Sequence, residues 1–215
     1  SDFAFLAPRL MRTPGVAVSE CAVMTNRMGA LALESMQLAL AQFIQYDGSR
    51  EEQILANEDK LDTYEDRLGG YLVQISQHGT SSADMRTVSR LLHAIGDFER
   101  IGDHAMNICE YTNMIKEKQI TFSKEVMVQI EQMKEVCCDA LDLLLDNQAN
   151  SENLHSIESI EQKIDDMTES FRQGQIDRMQ TGKCSDEGCV LYSEMLTDFE
   201  RIGDHVLNIA QEMAQ

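Results

Sequence analysis

The chain has no tryptophan and only two prolines, Pro8 and Pro14, in 215 residues. Beyond Pro14, no residue carries the ring that breaks a helix by removing an N–H and clashing with the preceding turn. Positive charge is also scarce: 18 Lys and Arg stand against 37 Asp and Glu, a formal net charge of −19. A general nucleic-acid binder needs cationic groups to displace phosphate counterions, so nucleic acid is excluded as a partner. No apolar run approaches the roughly 18 residues of a membrane span, and no signal-peptide pattern opens the sequence. Direct membrane insertion of this segment is therefore not expected. The six cysteines (Cys21, Cys109, Cys137, Cys138, Cys184 and Cys189) form no CxxC pair, and two of them are adjacent. That spacing suits neither a zinc ribbon nor a disulfide framework, and all six read as reduced thiols, most of them small core residues.

What is abundant is Met, Leu, Ala, Glu and Gln, a composition that favours long helices. Start and stop signals divide the chain into six. Thr13-Pro14 opens a first helix that runs to about Tyr46, and Asp47-Gly48 stops it. Ser49-Arg50-Glu51-Glu52 reads as a capping box for the second, which His78-Gly79-Thr80-Ser81 closes. Ser81 or Ser82 caps a third helix reaching about Lys116. Ser123 caps a fourth, whose Val126, Ile130, Met133, Cys137, Ala140 and Leu144 keep a three-four spacing that marks a core face. After a turn over residues 147–151, a fifth helix runs to about Gln180, and Thr181-Gly182-Lys183 leads to the sixth. The short links imply antiparallel neighbours.

The chain also repeats itself. Asp97 to His104 reads DFERIGDH and Asp198 to His205 reads DFERIGDH again, an offset of 101 residues, with Asn107-Ile108 matched by Asn208-Ile209. Upstream, Glu58-Asp59-Lys60-Leu61-Asp62 matches Glu161-Gln162-Lys163-Ile164-Asp165 at an offset of 103. The fold class that follows is all-α: six long antiparallel helices in two tandem, sequence-related three-helix bundles. Residues 1–13 form a linker, 14–117 the first repeat and 118–215 the second.

Residues four apart on a helix lie one above the other, so Glu99, Asp103 and Asn107 form one polar stripe, and Glu200, Asp204 and Asn208 its counterpart. The apolar seams beside them, Phe98, Ile101, Ala105, Ile108 and Phe199, Ile202, Val206, Ile209, must face the interior, which puts the carboxylates at the edge of the core. Gly102 and Gly203 each cost about 1 kcal/mol relative to Ala inside a helix and imply a close approach to the backbone. The preceding helices supply Glu58 with Asp62 and Glu161 with Asp165. Four carboxylates gathered at a core edge require a cation or shared protons. All-oxygen sites suit hard or borderline ions. A single acidic stripe is ordinarily a solvated helix face; four at equivalent places in a duplicated unit are not. His104 lies on the face of Arg100 and reads as a surface or interface histidine, so it and His205 are left out of the ligand set. A di-iron oxidase needs two Glu-x-x-His motifs, and only Glu152 to His155 fits. No nucleophile elbow, phosphate-binding glycine loop or Ser/Cys-His constellation is present, so no enzymatic activity is expected.

The runs DFERIGDHAMNICE and DFERIGDHVLNIAQE, the acidic pairs on the preceding helices and the two-times-three-helix layout resemble the PhoU family of bacterial phosphate-signalling proteins. The resemblance extends from about Val16 to the end of the chain. It implies metal clusters on Glu99, Asp103, Glu200 and Asp204, with Glu58, Asp62, Glu161 and Asp165 as partners, holding divalent or trivalent ions (Fe, Mn, Mg or Zn). It also implies a regulatory role in phosphate uptake on the cytoplasmic side of the membrane, with a homodimer as one arrangement. Ahead of the first motif stands Asp84-Met85-Arg86, ahead of the second Ser185-Asp186-Glu187-Gly188, so the two sites are expected to differ. The stretch from Pro8 to Ala17 is similar to the linker before the PhoU-like tail of bacterial sodium/phosphate cotransporters. On that reading the partner is a membrane transporter domain of the same chain; the alternative is a free-standing regulator acting on a separate phosphate transporter. From other classes, a helical metalloenzyme would need an open coordination position beside a pocket, and a structural module would use the acidic stripes to attract a basic partner.

Overall fold

The computed structural model describes residues 3, 12–146 and 151–214, with the side chains of residues 151 and 152 excluded. The expected linker and the turn at 147–150 lie largely outside the described residues. Six helices follow in order: α1 (Pro14–Ile44), α2 (Gly48–Ser76), α3 (Ser82–Glu117), α4 (Lys124–Leu145), α5 (Ser151–Gln180) and α6 (Asp186–Met213). Helices α1, α2 and α3 pack as one bundle and α4, α5 and α6 as a second. They join where α3 meets α6 and α1 meets α4. No described helix is long and apolar enough to cross a membrane.

The helix ends follow side-chain chemistry. Ser81, Ser123 and Ser185 each accept the N–H three residues on, as N-caps of α3, α4 and α6. Two expected starts differ. Thr13 makes no side-chain cap, and its carbonyl instead takes the N–H groups of Val16 and Ala17. For α2, Asp47 displaces Ser49 as N-cap, because its carboxylate accepts both the Ser49 N–H and the Ser49 hydroxyl, at 3.0 and 2.8 Å. Arg50 then donates to the Gln45 carbonyl at 2.7 Å and closes the end of α1. At the end of α5, Gly182 takes φ +70°, and the Lys183 N–H returns to the Arg178 carbonyl at 2.9 Å, so the Thr181-Gly182 stop works as a left-handed cap.

The core forms as the periodicity dictates. The α3 and α6 seams and the α4 face are all buried. So are Met24, Met28 and Met36 of α1, whose flexible thioethers fill the space under α2 and α3. The cysteine expectation fails in part. Cys21, Cys109, Cys137 and Cys138 are free and buried, but Cys184 and Cys189 are joined by a disulfide. The turn after α5 folds Cys184 over the first turn of α6, a proximity that their five-residue spacing does not reveal.

Gly102 and Gly203 serve close helix packing. A Cβ on Gly102 would stand 2.5 Å from Leu61 Cδ1 and 3.2 Å from Glu58 Oε2, whereas one on Gly203 would meet Ile164 Cδ1 at 3.2 Å. Leu61 is fully buried and cannot swing aside. Overpacking typically costs about 1–3 kcal/mol, offset here by about 1 kcal/mol of helix propensity. Gly102→Ala is therefore expected to lower the melting temperature by a few degrees, and Gly203→Ala by less, in thermal denaturation followed by circular dichroism.

Candidate metal centre

Close approach at Gly102 brings the acidic pair of α2 against that of α3. Glu58, Asp62 and Glu99 each offer a carboxylate oxygen, all within 4.8 Å of one another. Asp103 is drawn in through a hydrogen bond with Glu58. In the second bundle the matching group is Glu161, Asp165 and Asp204, again within 4.8 Å. The structure thus gathers seven of the eight expected carboxylates into two clusters.

The eighth behaves differently. Glu200 forms an ion pair with Arg172 of α5, with Nη2 to Oε1 at 3.2 Å and Nε to the same oxygen at 3.4 Å. Arg172 also donates to Thr197 at 2.7 Å, which fixes it between the two helices. The repeat offset places Gly69 where the second bundle has Arg172, so the first cluster has no matching cation. This difference between the bundles arises from Arg172 of α5.

Burial first, and then the acidic neighbours, hold carboxyls of both clusters well above the usual carboxylate range. Burial, then the hydrogen bond and charge of Asp103, raise Glu58 to about 8. Burial, followed by the charges of Asp103 and Glu65, raises Glu99 to about 7. In the second bundle, burial and then the hydrogen bond and charge of Asp165 bring Glu161 to about 7. A carboxyl whose pKa rises on folding stabilises the fold below its unfolded value of 4.5 and loses that contribution as pH climbs through the folded value. The metal-stripped protein is accordingly expected to melt at a lower temperature at pH 8.5 than at pH 6. Melts in chelator-treated buffer across that window check this.

The donor set is wholly carboxylate oxygen, which fits magnesium, manganese or iron; zinc, which favours nitrogen and sulfur, is the poorest match of the four expected ions. The histidines of the octads stand apart from it. His104 and His205 meet where α3 crosses α6, their rings stacked 5.6 Å apart between centroids. His104 Nδ1 lies 2.7 Å from Asp198 Oδ1, and His205 Nδ1 lies 2.8 Å from Asp97 Oδ1. Each octad thus gives its last residue to the first residue of the other. These dyads supply a packing reason for octad identity that does not involve metal. Asn107 also donates to Asp198, at 3.3 Å, and so braces a dyad instead of extending its stripe toward the cluster. Arg172 and the two aspartates make contacts around the site that the stripe pattern missed. Asp97 and His104 are seven apart, hence on one helix face, and were identical in both copies; that was the available signal. Of the isolated Glu-x-x-His segment, His155 lies on the surface, 3.4 Å from Glu158.

Known proteins give this geometry a context. The family model described as PhoU domain matches residues 25–112 and 130–213, one match in each bundle. The chain is 24% identical over 191 residues to the phosphate-specific transport system accessory protein PhoU homolog 1 of Thermotoga maritima, covering 87% of this chain and 82% of that one. A PhoU homolog of the same description from Xylella fastidiosa is 22% identical, with 87% and 78% covered. Among solved structures, the phosphate transport system regulatory protein PhoU of Streptococcus pneumoniae superposes with a TM-score of 0.82 at 22% identity, over 93% of this chain and 94% of that one. PhoU from Pseudomonas aeruginosa gives 0.83 at 19% identity, over 93% and 96%.

Proposed function

The chain belongs to the PhoU family, and from that premise we propose that it regulates phosphate transport, with metal ions held at its two carboxylate clusters. The observation that carries the metal part is the first cluster: Glu58, Asp62 and Glu99 converge within 4.8 Å, and Asp103 bonds to Glu58. Such a group is stable in the ionised form only when a cation replaces its shared protons. Glu58 and Asp62 come from α2, Glu99 and Asp103 from α3, so an ion held by them would neutralise the repulsion and tie the two helices together. Glu161, Asp165 and Asp204 would do the same for α5 and α6, with Glu200 already committed to Arg172. The chemistry supplied is charge neutralisation, and no residue is assigned to catalysis.

The phosphate part draws on relatives described as accessory or regulatory proteins of phosphate-specific transport, whose length this chain covers to about four fifths or more. They favour a regulator acting on a separate phosphate transporter at the cytoplasmic face of the membrane over the tail of a cotransporter. That second reading rests on the linker-like stretch from Pro8 to Ala17, most of which lies outside the described residues. Membrane spans encoded ahead of Ser1 in the intact reading frame would select it.

Uptake of labelled phosphate, in cells deleted for this chain and complemented with it, tests the proposal. The wild-type chain is expected to restore a phosphate-dependent change in uptake. The Glu58→Gln/Asp62→Asn/Glu161→Gln/Asp165→Asn variant is expected not to. Equal complementation by both would contradict the role of the clusters; no effect of either would contradict the role in transport.

A further inference from the structure

At the crossing of α3 and α6, between the two carboxylate clusters, lies a solvent-open groove lined by Arg100, Arg201, His104, His205 and Asn208, with Asp103 and Asp204 at its flanks. Four of these seven residues are Arg or His in a chain of net charge −19, so cationic groups are concentrated where the sequence as a whole lacks them. Arg201 has no ion pair or hydrogen bond among the described residues. Arg100 is 59% exposed and lies 3.6 Å from Asp97 Oδ1, an oxygen that His205 already holds at 2.8 Å. Both guanidiniums therefore retain donors for a ligand.

The imidazoles add a second kind of group. A carboxylate oxygen can only accept, so in each neutral ring the proton sits on the Nδ1 that faces Asp198 or Asp97. Nε2 is left with its lone pair and no protein partner among the described residues. The groove is thus lined by two forked cationic donors and by two imidazoles whose Nδ1 is already taken, contributed equally by the two repeats.

We propose that this inter-repeat groove binds inorganic hydrogenphosphate, with Arg100 and Arg201 donating to its charged oxygens and His104 or His205 accepting from its P–OH. The acceptors give selectivity. Sulfate at neutral pH has no proton to donate, and a phosphate monoester, with a second pKa near 6, has none at pH 8. A site built to pair with a donor rejects an analogue that lacks it. In one respect the proposal rests on the metal reading. Asp103 and Asp204 belong to the clusters and, when ionised, repel an anion in the groove; a cation in each cluster removes that repulsion. Metal and phosphate then reinforce each other, and by linkage each strengthens the other equally.

Calorimetric titration of the purified chain at pH 8, manganese-loaded and metal-stripped, with phosphate, sulfate and methyl phosphate tests this, with manganese content measured separately. Phosphate is expected to bind the loaded protein at least about tenfold more tightly than the stripped protein, and than either other anion binds. Arg100→Ala/Arg201→Ala is expected to weaken phosphate at least tenfold with manganese content unchanged, which also shows that the variant folds. Lys124→Ala/Lys183→Ala, removing the same charge elsewhere, is expected to change neither. Sulfate binding equal to phosphate, or full binding by the arginine variant, would overturn the groove as a phosphate site. Equal phosphate binding with and without manganese would overturn the coupling. If the wild type takes up no manganese, the metal reading fails, while arginine-dependent, proton-selective phosphate binding would still uphold the groove.

Discussion

Glu58→Gln is expected to act in opposite directions on the two states of the protein: it raises the melting temperature of the metal-stripped chain above pH 8 and weakens manganese binding at least about tenfold. Both effects follow from one fact. Glu58 sits among Asp62, Glu99 and Asp103, and its carboxyl is raised to about 8, first by burial and then by its acidic neighbours. Above that pH it must ionise beside other carboxylates, so replacing it with a neutral amide relieves repulsion. At pH 6 the native side chain is already protonated, and the variant is expected to melt close to wild type. With metal present the sign reverses, because the substitution removes a ligand. A variant less stable than wild type at pH 8.5 without metal would contradict burial among acidic neighbours as the cause.

Asp198→Ala is expected to have the largest effect on folding. Asp198 is 3% exposed, accepts from His104 at 2.7 Å and from Asn107 at 3.3 Å, and ties the first bundle to the second. Removing the carboxylate leaves the buried His104 Nδ1–H and the Asn107 amide without their acceptor, a cost of about 3 kcal/mol. For a chain of this size that corresponds to a fall in melting temperature of roughly 6–12 °C. Asp198→Asn, which keeps an acceptor for His104, is expected to lose less. Neither change touches a cluster carboxylate, so manganese affinity per folded molecule should hold. Asp198→Ala melting with the wild type would show that the dyads do not secure the inter-repeat contact.

The contrast between these variants shows what the amino-acid order reveals. Helix number, the buried seams at Phe98 to Ile108 and Phe199 to Ile209, and the convergence of Glu58 and Asp62 on Glu99 all follow from local periodicity plus the repeat. Features that depend on partners far along the chain do not. The His104 to Asp198 contact spans 94 residues and the His205 to Asp97 contact 108, so no spacing rule could pair them. Arg172 was visible only as a break in the repeat, an arginine where the first copy has Gly69. The capture of Glu200 by Arg172 needed the α5–α6 packing to be seen. Capping at α2 went to Asp47 over Ser49 because two acceptors two residues apart compete, and the carboxylate is the stronger.

The central claim is that the two carboxylate clusters hold metal. Elemental analysis of the purified chain, loaded separately with manganese, iron and magnesium and freed of excess ion by gel filtration, tests it most directly. The account predicts retained metal in the wild type, a partial loss in Glu58→Gln/Asp62→Asn where only the first cluster is damaged, and near-complete loss when Glu161→Gln/Asp165→Asn is added. A wild-type chain that emerges free of metal under every loading condition, or a quadruple variant that retains as much as the wild type, would contradict it.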